Sequence, residues 1–168
     1  MFKKFLLLAS AGLIAIGPAA AAEKVKIGFV TTITTPAGVI GKDMVDAVNL
    51  AMEDIGGKMA GLDVELIVED DGFKPAIGKQ KTDKLVKQDK VQFVTGFIWS
   101  HVLLASQKSA LGAGKFLISS NAGPSQMAGK LCHKNFFSTS WQNDQTPMAM
   151  GEVLNLNNVK SLYVMAPN

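Results

Sequence analysis

Residues 90–106, KVQFVTGFIWSHVLLAS, combine a strand pattern, a short corner and a helix pattern. The apolar run before Gly96 is rich in β-branched and aromatic residues, which predicts a strand ending at that glycine. Apolar residues at helical spacing begin directly afterwards. Trp99, Ser100 and His101 therefore fall on the corner between the strand and the helix. We expect this corner to form one wall of a ligand cleft.

The same alternation of strand and helix patterns runs through the rest of the chain. Strands are predicted at residues 24–32, 62–71, 91–98, 115–120, 135–140 and 160–167. Helices are predicted at residues 41–55, 74–90 (with Pro75 near the start), 100–114 and 144–156. Strands separated by helices of this length indicate right-handed βαβ crossovers and a parallel sheet. The predicted fold class is α/β, and the segment GGKMAG, residues 56–61, is interpreted as a plain connector.

The N-terminal segment has the composition of a secretory signal peptide. Residues 1–22 contain a basic start, an apolar run and a tail of small residues, which predicts cleavage after Ala22. The apolar run is too short to span a bilayer, which needs about 20 such residues. The only cysteine, Cys132, lies far from the cleavage site, so we expect no lipid anchor. Cys132 is either a free buried thiol or has its partner outside this chain.

Composition and motifs argue against several function classes. The formal net charge is +3, the lysines are scattered and arginine is absent, so a nucleic-acid-binding stripe is not expected. The sequence lacks G-x-S-x-G and G-x-G-x-x-G motifs, and neither His101 nor His133 has metal-ligand spacing. We therefore expect no enzyme activity, no metal and no cofactor. The acidic run at residues 69–71 is interpreted as a solvated strand end rather than a cation site.

Ligands of parallel α/β sheets bind outside the carboxyl ends of the strands. The corners at those ends are rich in Ser, Thr, Gly and Asn, and occupy residues 31–41, 69–75, 96–101, 119–125 and 138–144. Hydroxyl groups and the backbone N–H groups of helix N-termini bind a carboxylate without a fixed counter-charge. Apolar side chains beside such groups complete a small-molecule pocket. The candidate ligand-binding residues are Trp99, Ser100, His101, Ser120, Asn121, Ala122, Gly123 and Trp141.

Each candidate also has a purely structural interpretation. Ser100 is a suitable N-cap for the helix that follows it, a role compatible with ligand contact. Residues 121–123 could form a turn and nothing more. Trp99 and Trp141 are of a type found more often in cores than against ligands.

Three longer stretches carry a resemblance to a known family. They are residues 24–55, KVKIGFVTTITTPAGVIGKDMVDAVNLAMEDI; residues 61–96, GLDVELIVEDDGFKPAIGKQKTDKLVKQDKVQFVTG; and residues 114–130, GKFLISSNAGPSQMAGK. Together with the leader, they resemble the type I periplasmic binding proteins, and in particular the branched-chain amino-acid-binding group that feeds ABC importers. The resemblance implies two Rossmann-like lobes that close on a ligand, in proteins more than twice this length.

The resemblance also implies a domain organisation. Residues 1–22 correspond to the signal peptide, residues 23–142 to the N-terminal lobe, and residues 143–168 to a crossover helix and the first strand of a truncated second lobe. On this basis the chain is interpreted as a fragment, and the fold as the first lobe of a periplasmic-binding-protein-like type I fold.

Residue by residue, the resemblance assigns roles to several corners. The cleft serine of the family matches Ser100, and its carboxylate cradle matches residues 120–123, with Gly123 where amino-acid binders carry a hydroxyl. The first corner contributes Thr35, Gly38 and Val39. Phe73 and Trp99 occupy positions that are often joined by a disulfide, which here predicts an aromatic contact instead. These differences favour a less polar ligand, such as an aromatic carboxylate.

The predicted function is that of a periplasmic solute-binding component of an ABC importer. It would capture an amino acid or an aromatic carboxylate and deliver it to a permease in the inner membrane, as a monomer when full length. Two alternatives remain open: a ligand-sensing receptor domain on the same fold, and an exported α/β hydrolase that uses Ser100 or His101.

Overall fold

The computed structural model describes residues 23–165, so the predicted signal peptide lies outside the described residues. The strands are β1 Val25–Thr31, β2 Lys58–Met59, β3 Leu62–Asp70, β4 Phe93–Gly96, β5 Phe116–Ser119 and β6 Phe136–Ser138. The helices are α1 Gly38–Asp54, α2 Pro75–Lys87, α3 Ser100–Leu111 and α4 Gln145–Leu156. A single turn of 3-10 helix covers Ser125–Ala128.

Six strands form one sheet in the order β2-β3-β1-β4-β5-β6. Every neighbouring pair is parallel except β2 with β3, which is antiparallel. The predicted α/β class with a parallel sheet is therefore confirmed. The segment at residues 56–61 is more than a connector, because Lys58 and Met59 pair with Asp63 and Leu62 to form a short hairpin. Two residues are too few for a period of two to be visible in the sequence.

The core lies between the sheet and the pair α2 and α3. Its fully buried members come from both layers: Val30, Leu85, Val91, Val94, Phe97, Val102, Leu103, Ala110 and Leu117. The two helices approach closely at Gly78, where a β-carbon would collide with Val102. Pro75 is the first residue of α2, as its position in the sequence predicts.

Helix α1 lies on the other face of the sheet. The crossover from β1 to β3 runs toward one edge, whereas the crossovers through α2 and α3 run toward the opposite edge. Right-handed connections in opposite directions place their helices on opposite faces. Within α1 only Gly38 and Gly41 are buried, and Ile55, which caps the C-terminus of the helix, is exposed.

The predicted strand at residues 160–167 is wrong over the part that is described. Residues 159–165 form no strand, and Leu162, Tyr163, Val164 and Met165 are exposed. A β-rich run becomes a strand only when a neighbouring strand satisfies its backbone groups, and this segment pairs with none of the described strands. Helix α4, which precedes it, buries none of its residues. No helix of the described residues is long and apolar enough to cross a membrane.

Candidate ligand-binding site

The strand order reverses at β1, which has β3 on one side and β4 on the other. At such a reversal the flanking helices diverge to opposite faces and leave a crevice at the carboxyl ends of the strands. The corners after β1 and β4 meet there. The indole Nε1–H of Trp99 donates a hydrogen bond of 3.0 Å to the Thr32 hydroxyl, which joins the two corners across the reversal point.

The corner after β4 is held in an unusual backbone conformation. Gly96 has a φ of +100°, and a β-carbon there would collide with the Val30 carbonyl. Phe97 also has a positive φ, 62°, and its ring is fully buried in the core. The buried ring anchors the corner, because moving it into water would expose a large apolar area at a cost in free energy. Trp99 and Ser100 follow directly and are held at the mouth of the sheet.

Trp99, and not Ser100, is the N-cap of α3, and no side chain caps this helix. The interpretation of Ser100 as an N-cap is therefore wrong: Ser100 is the first residue inside the helix. The N–H groups of Val102 and Leu103 both donate to the Trp99 carbonyl. The preceding N–H groups, those of Ser100 and His101, lie in the first turn, where a helix offers no internal acceptor. They are available to an anion.

An aromatic cluster, formed by Phe73, Trp99 and His101, stands beside this helix N-terminus. The ring centroids of Phe73 and Trp99 are 4.7 Å apart at an interplanar angle of 79°, which is an edge-to-face contact. His101 approaches Phe73 edge-on at 5.1 Å and lies 6.5 Å from Trp99. The predicted aromatic contact between Phe73 and Trp99 is confirmed. Trp99 packs against the core with one side and is half-buried.

The acidic run at the end of β3 is largely buried, so its interpretation as a solvated strand end is wrong. Asp71 is 0% exposed, and its Oδ1 accepts from the Thr32 hydroxyl at 2.5 Å and from the Phe73 N–H at 2.8 Å. Burial raises the pKa of the Asp71 carboxyl, against the lowering effect of those hydrogen bonds. Glu69 is also buried and forms ion pairs with Lys81 and Lys84, each at 2.7 Å.

Asp70, between these two residues, ties the corner after β1 to the corner after β3. Its carboxylate accepts from the Ile33 N–H at 2.9 Å, from the Thr34 hydroxyl at 2.5 Å and from the Gly72 N–H at 2.9 Å. Burial raises the pKa of Asp70, but these hydrogen bonds outweigh it and hold the pKa below its ordinary value. Asp70 is thus a charged structural anchor of the crevice.

In the first corner, the residues that the resemblance pointed to make few side-chain contacts. The Gly38 N–H donates to the Thr35 carbonyl at 2.7 Å, whereas the Thr35 hydroxyl is buried without a partner. Val39 is 67% exposed. The side chain of Val39 is therefore accessible to a ligand or to another segment of protein.

The corner after β5 uses most of its polar groups to bind the corner after β4. The Ser120 N–H donates to Gly96 and the Ala122 N–H to Phe97, both at 3.0 Å. The Asn121 side chain donates to the Ile98 carbonyl at 2.9 Å. These two backbone N–H groups are therefore not free to hold a ligand carboxylate. The exposed Ser120 hydroxyl, 3.2 Å from the Thr95 hydroxyl, remains accessible.

Gly123 lies beneath the corner after β6. A β-carbon at this position would collide with the Trp141 carbonyl, which explains why no hydroxyl-bearing residue stands here. The Asn143 N–H donates to the Gly123 carbonyl at 2.7 Å, and the Asn143 side chain donates to the Ser100 hydroxyl at 2.9 Å. Asn143 thus brings Ser100 and Gly123 to the same side of the site.

Trp141 is separate from the aromatic cluster. Its side chain is 57% exposed and borders a pocket of about 80 Å³ between the corners after β5 and β6. The pocket is lined by Gly123, Pro124, Ala128, Phe136, Ser138, Ser140, Trp141 and Gln142. Trp99 is not among these lining residues, so the two tryptophans of the chain do not border the same pocket.

Two other features of the sequence have structural outcomes. Cys132 is exposed, so its interpretation as a buried thiol is wrong. Among the described residues, no three His, Cys, Asp or Glu side chains come together as a metal site would need. The hydrogen-bonding residues that sequence reasoning missed are Thr32, Asp71 and Asn143. Their position within the predicted corners at residues 31–41, 69–75 and 138–144 was the signal that could have identified them.

These observations define a class: a doubly wound α/β domain with a polar and aromatic crevice at its topological reversal point. The sequence profile of the family described as periplasmic binding protein matches residues 24–168. Because the match covers most of the chain, the chain belongs to the periplasmic binding protein family. A search of the curated proteins gave no match.

Solved structures agree with this assignment. A solute-binding protein of an ABC transporter from R. palustris in complex with benzoate is 26% identical, with a TM-score of 0.76 over 82% of this chain and 38% of its own. One from Rhodopseudomonas palustris BisB5 in complex with 3,4-dihydroxybenzoic acid is 26% identical, with a TM-score of 0.74 over 82% of this chain and 37% of its own.

A third similar structure binds an amino acid. The branched-chain amino acid transporter substrate-binding protein LivJ from Streptococcus pneumoniae, in complex with isoleucine, is 26% identical, with a TM-score of 0.66 over 71% of this chain and 34% of its own. The present chain therefore spans little more than a third of the length of these proteins.

Proposed function

We propose that this chain supplies one wall of the ligand cleft of an ABC-transporter solute-binding protein that captures a small aromatic carboxylate outside the cytoplasm. The observation that carries the proposal is the juxtaposition of free N–H groups at the start of α3 with the edge-to-face pair Phe73 and Trp99. The first attracts an anion, and the second offers apolar contact to a flat ring. The proteins of this family bind their ligands and are not enzymes.

The carboxylate would be bound by the first turn of α3. The N–H groups of Ser100 and His101 carry the partial positive charge of the helix N-terminus. The Ser100 hydroxyl accepts from Asn143, so its own proton remains available to donate to a ligand oxygen. No lysine is needed for this recognition, because oriented amides and one hydroxyl satisfy a carboxylate.

Two features support an aromatic acid over an amino acid. Gly123 has no space for the hydroxyl side chain that amino-acid binders place at this position, because the Trp141 carbonyl lies against it. Two of the similar structures hold benzoic-acid derivatives, whereas one holds isoleucine. An amino acid is therefore the second candidate ligand, supported by the similarity to the isoleucine-bound structure.

The transport role follows from the family. We propose that a second lobe covers the ligand, that closure of the two lobes is driven by contacts made only in the closed form, and that a membrane permease receives the ligand. The described residues would contribute the anion-binding half of the cleft. The protein would act in the periplasm as a monomer.

Calorimetric titration of the intact protein with benzoate, benzamide and isoleucine tests the proposal. Benzoate is expected to bind more tightly than benzamide, because the uncharged amide does not benefit from the helix N-terminus. It is also expected to bind more tightly than isoleucine. Recovery of unchanged ligand after incubation would accompany binding without catalysis. Equal affinity for benzoate and benzamide would contradict the anion site, and conversion of the ligand would contradict the binding role.

A further inference from the structure

We infer that Asp71 is a positioning residue that holds the rings of Phe73 and Trp99 in place, and thereby sets the selectivity of the site for flat ligands. Only the last step of this inference, the effect of Asp71 on ligand selectivity, rests on the proposed function. The hydrogen bonds and the contact between the rings are properties of the chain itself.

Trp99 is connected to Asp71 by a chain of two hydrogen bonds that run in one direction. The indole Nε1–H donates to the Thr32 hydroxyl at 3.0 Å, and the Thr32 hydroxyl donates to Asp71 Oδ1 at 2.5 Å. Thr32 uses its single proton toward Asp71, so its oxygen is free to accept from the indole. The buried carboxylate polarises the Thr32 hydroxyl and makes its oxygen a better acceptor. This strengthens the hydrogen bond from the Trp99 indole.

Phe73 is connected to the same carboxylate oxygen through its backbone. Its N–H donates to Asp71 Oδ1 at 2.8 Å, and its φ is 64°, in the left-handed region that a bulky residue rarely adopts. The hydrogen bond fixes this conformation and directs the Phe73 ring edge-on toward Trp99. One oxygen atom therefore orients two rings that lie on separate corners, after β3 and after β4.

Burial makes this arrangement rigid. Asp71 and Thr32 are both 0% exposed, so water does not compete for their hydrogen bonds. Asp71 Oδ2 is also buried and has no partner among the described residues. The titratable groups that face Asp71 are Asp70, which raises the pKa of Asp71 as burial does, and His101, which lowers it. The hydrogen bonds from Thr32 and Phe73 to Oδ1 offset part of the free-energy cost of burying this carboxyl.

A fixed aromatic surface matters for the proposed function because an ordered side chain loses less entropy on binding. A flat ring benefits fully from a preoriented edge-to-face pair, whereas a branched aliphatic group fits many orientations of the same rings. Loss of the Asp71–Thr32–Trp99 connection is therefore expected to weaken binding of benzoate more than that of isoleucine.

The test compares two neighbouring, equally buried threonines. Thr31 and Thr32 are both 0% exposed, but the Thr31 hydroxyl has no hydrogen-bond partner among the described residues. Trp99 and Trp141 are the only tryptophans of the chain, so Trp141→Phe assigns the two indole N–H resonances in a nitrogen-15 NMR spectrum. Solvent exchange of the Trp99 N–H is then measured without ligand in Thr32→Val, Thr31→Val and Thr32→Ser.

Thr32→Val is expected to speed exchange of the Trp99 N–H about fivefold, the factor implied by loss of one ordinary hydrogen bond. It is also expected to shift the resonance toward that of a free indole. Thr31→Val is expected to leave the exchange rate and the resonance position unchanged. Thr32→Ser keeps the hydroxyl and is expected to give the values of the parent protein. An unaltered Trp99 resonance in Thr32→Val, or an equal change in Thr31→Val, would overturn the inference.

A pH titration gives an independent reading if Thr32→Val does not fold. In a His101→Gln background, which removes the neighbouring imidazole, the Trp99 N–H resonance is expected to titrate with a midpoint above the ordinary aspartate pKa. Asp71→Asn keeps the side-chain shape and is expected to abolish this titration. Persistence of the titration in Asp71→Asn would also overturn the inference.

Ligand binding separates the two proposals. If neither benzoate nor isoleucine binds, the proposed function fails while the NMR result still decides the role of Asp71. If benzoate binds and Thr32→Val weakens its binding no more than that of isoleucine, the proposed function stands and the selectivity role of Asp71 fails.

Discussion

The Asn143 side chain donates a hydrogen bond of 2.9 Å to the Ser100 hydroxyl, across 43 positions of the chain. Because the Ser100 oxygen accepts in this bond, its own hydroxyl proton remains free to donate to another group. The backbone N–H of Asn143 at the same time holds the Gly123 carbonyl. The corner after β6 therefore supports the proposed anion site without contributing a charge to it.

Ser100→Ala is expected to weaken benzoate binding. The lost bond is one to a charged group, worth about 1.5–3 kcal/mol, which corresponds to about 10- to 150-fold in affinity. Asn143→Ala is expected to have a smaller effect in the same direction, because it removes only the orientation of the hydroxyl. Calorimetry measures both, with Ser161→Ala on the exposed segment after α4 as the control. Unchanged affinity in Ser100→Ala would remove this serine from the site.

Gly123→Ala is expected to destabilise the protein by about 1–3 kcal/mol, since a methyl group there overpacks the site against the Trp141 carbonyl. Gly151→Ala is a matched control: Gly151 lies within α4, and a β-carbon there meets nothing. That control is expected to stabilise the protein by about 0.5–1 kcal/mol. Thermal unfolding measures both. Equal melting temperatures for the two variants would show that residues 139–143 do not lie against Gly123 in solution.

Phe73→Leu is expected to lower the affinity for benzoate by up to about tenfold. An edge-to-face aromatic contact contributes about 0.5–1.5 kcal/mol beyond the buried area, and leucine retains bulk but no ring. Phe137→Leu is the control, because Phe137 is similarly exposed and lies on β6, away from the aromatic cluster. Titration calorimetry decides the outcome, and an equal loss of affinity in both variants would argue against a specific role for Phe73.

Asp83→Asn is expected to reduce stability in a pH-dependent way. Hydrogen bonding to Lys79, assisted by Lys87, lowers the pKa of Asp83 to about 2. A carboxyl whose pKa is lower in the folded state stabilises the protein above its unfolded pKa, near 4, and this contribution is lost as the pH falls toward 2.

Because both lysines are largely exposed, the expected effect of Asp83→Asn at pH 7 is only about 1 kcal/mol. Urea unfolding of the variant and the parent is therefore expected to differ at pH 7 and to converge near pH 2. Glu152→Gln on the exposed helix α4 provides the comparison, since Glu152 forms no ion pair among the described residues. A difference for Asp83→Asn that persists at the lowest pH would contradict the electrostatic origin.

Apart from the two-residue strand β2, the order of the described strands and helices could be predicted from the sequence, because hydrophobic periodicity and glycine positions are local signals. The same signals located the corners at the carboxyl ends of the strands, whereas the aromatic contact of Phe73 with Trp99 was implied by the family resemblance. They failed for the described residues 160–165, because an apolar, β-branched run only favours a strand, and a strand forms only where a neighbouring strand pairs with it.

Tertiary structure alone decided how the polar groups of the corners are used. Asp71 is buried and holds two corners, whereas an acidic run at the end of a strand normally indicates solvation. The Ala122 N–H donates to the Phe97 carbonyl, and Trp141 borders a pocket that Trp99 does not line. The physical reason is that hydrogen bonds between corners join residues far apart in the chain, 39 positions for Asp71–Thr32 and 67 positions for Trp99–Thr32, and no local pattern encodes such partners.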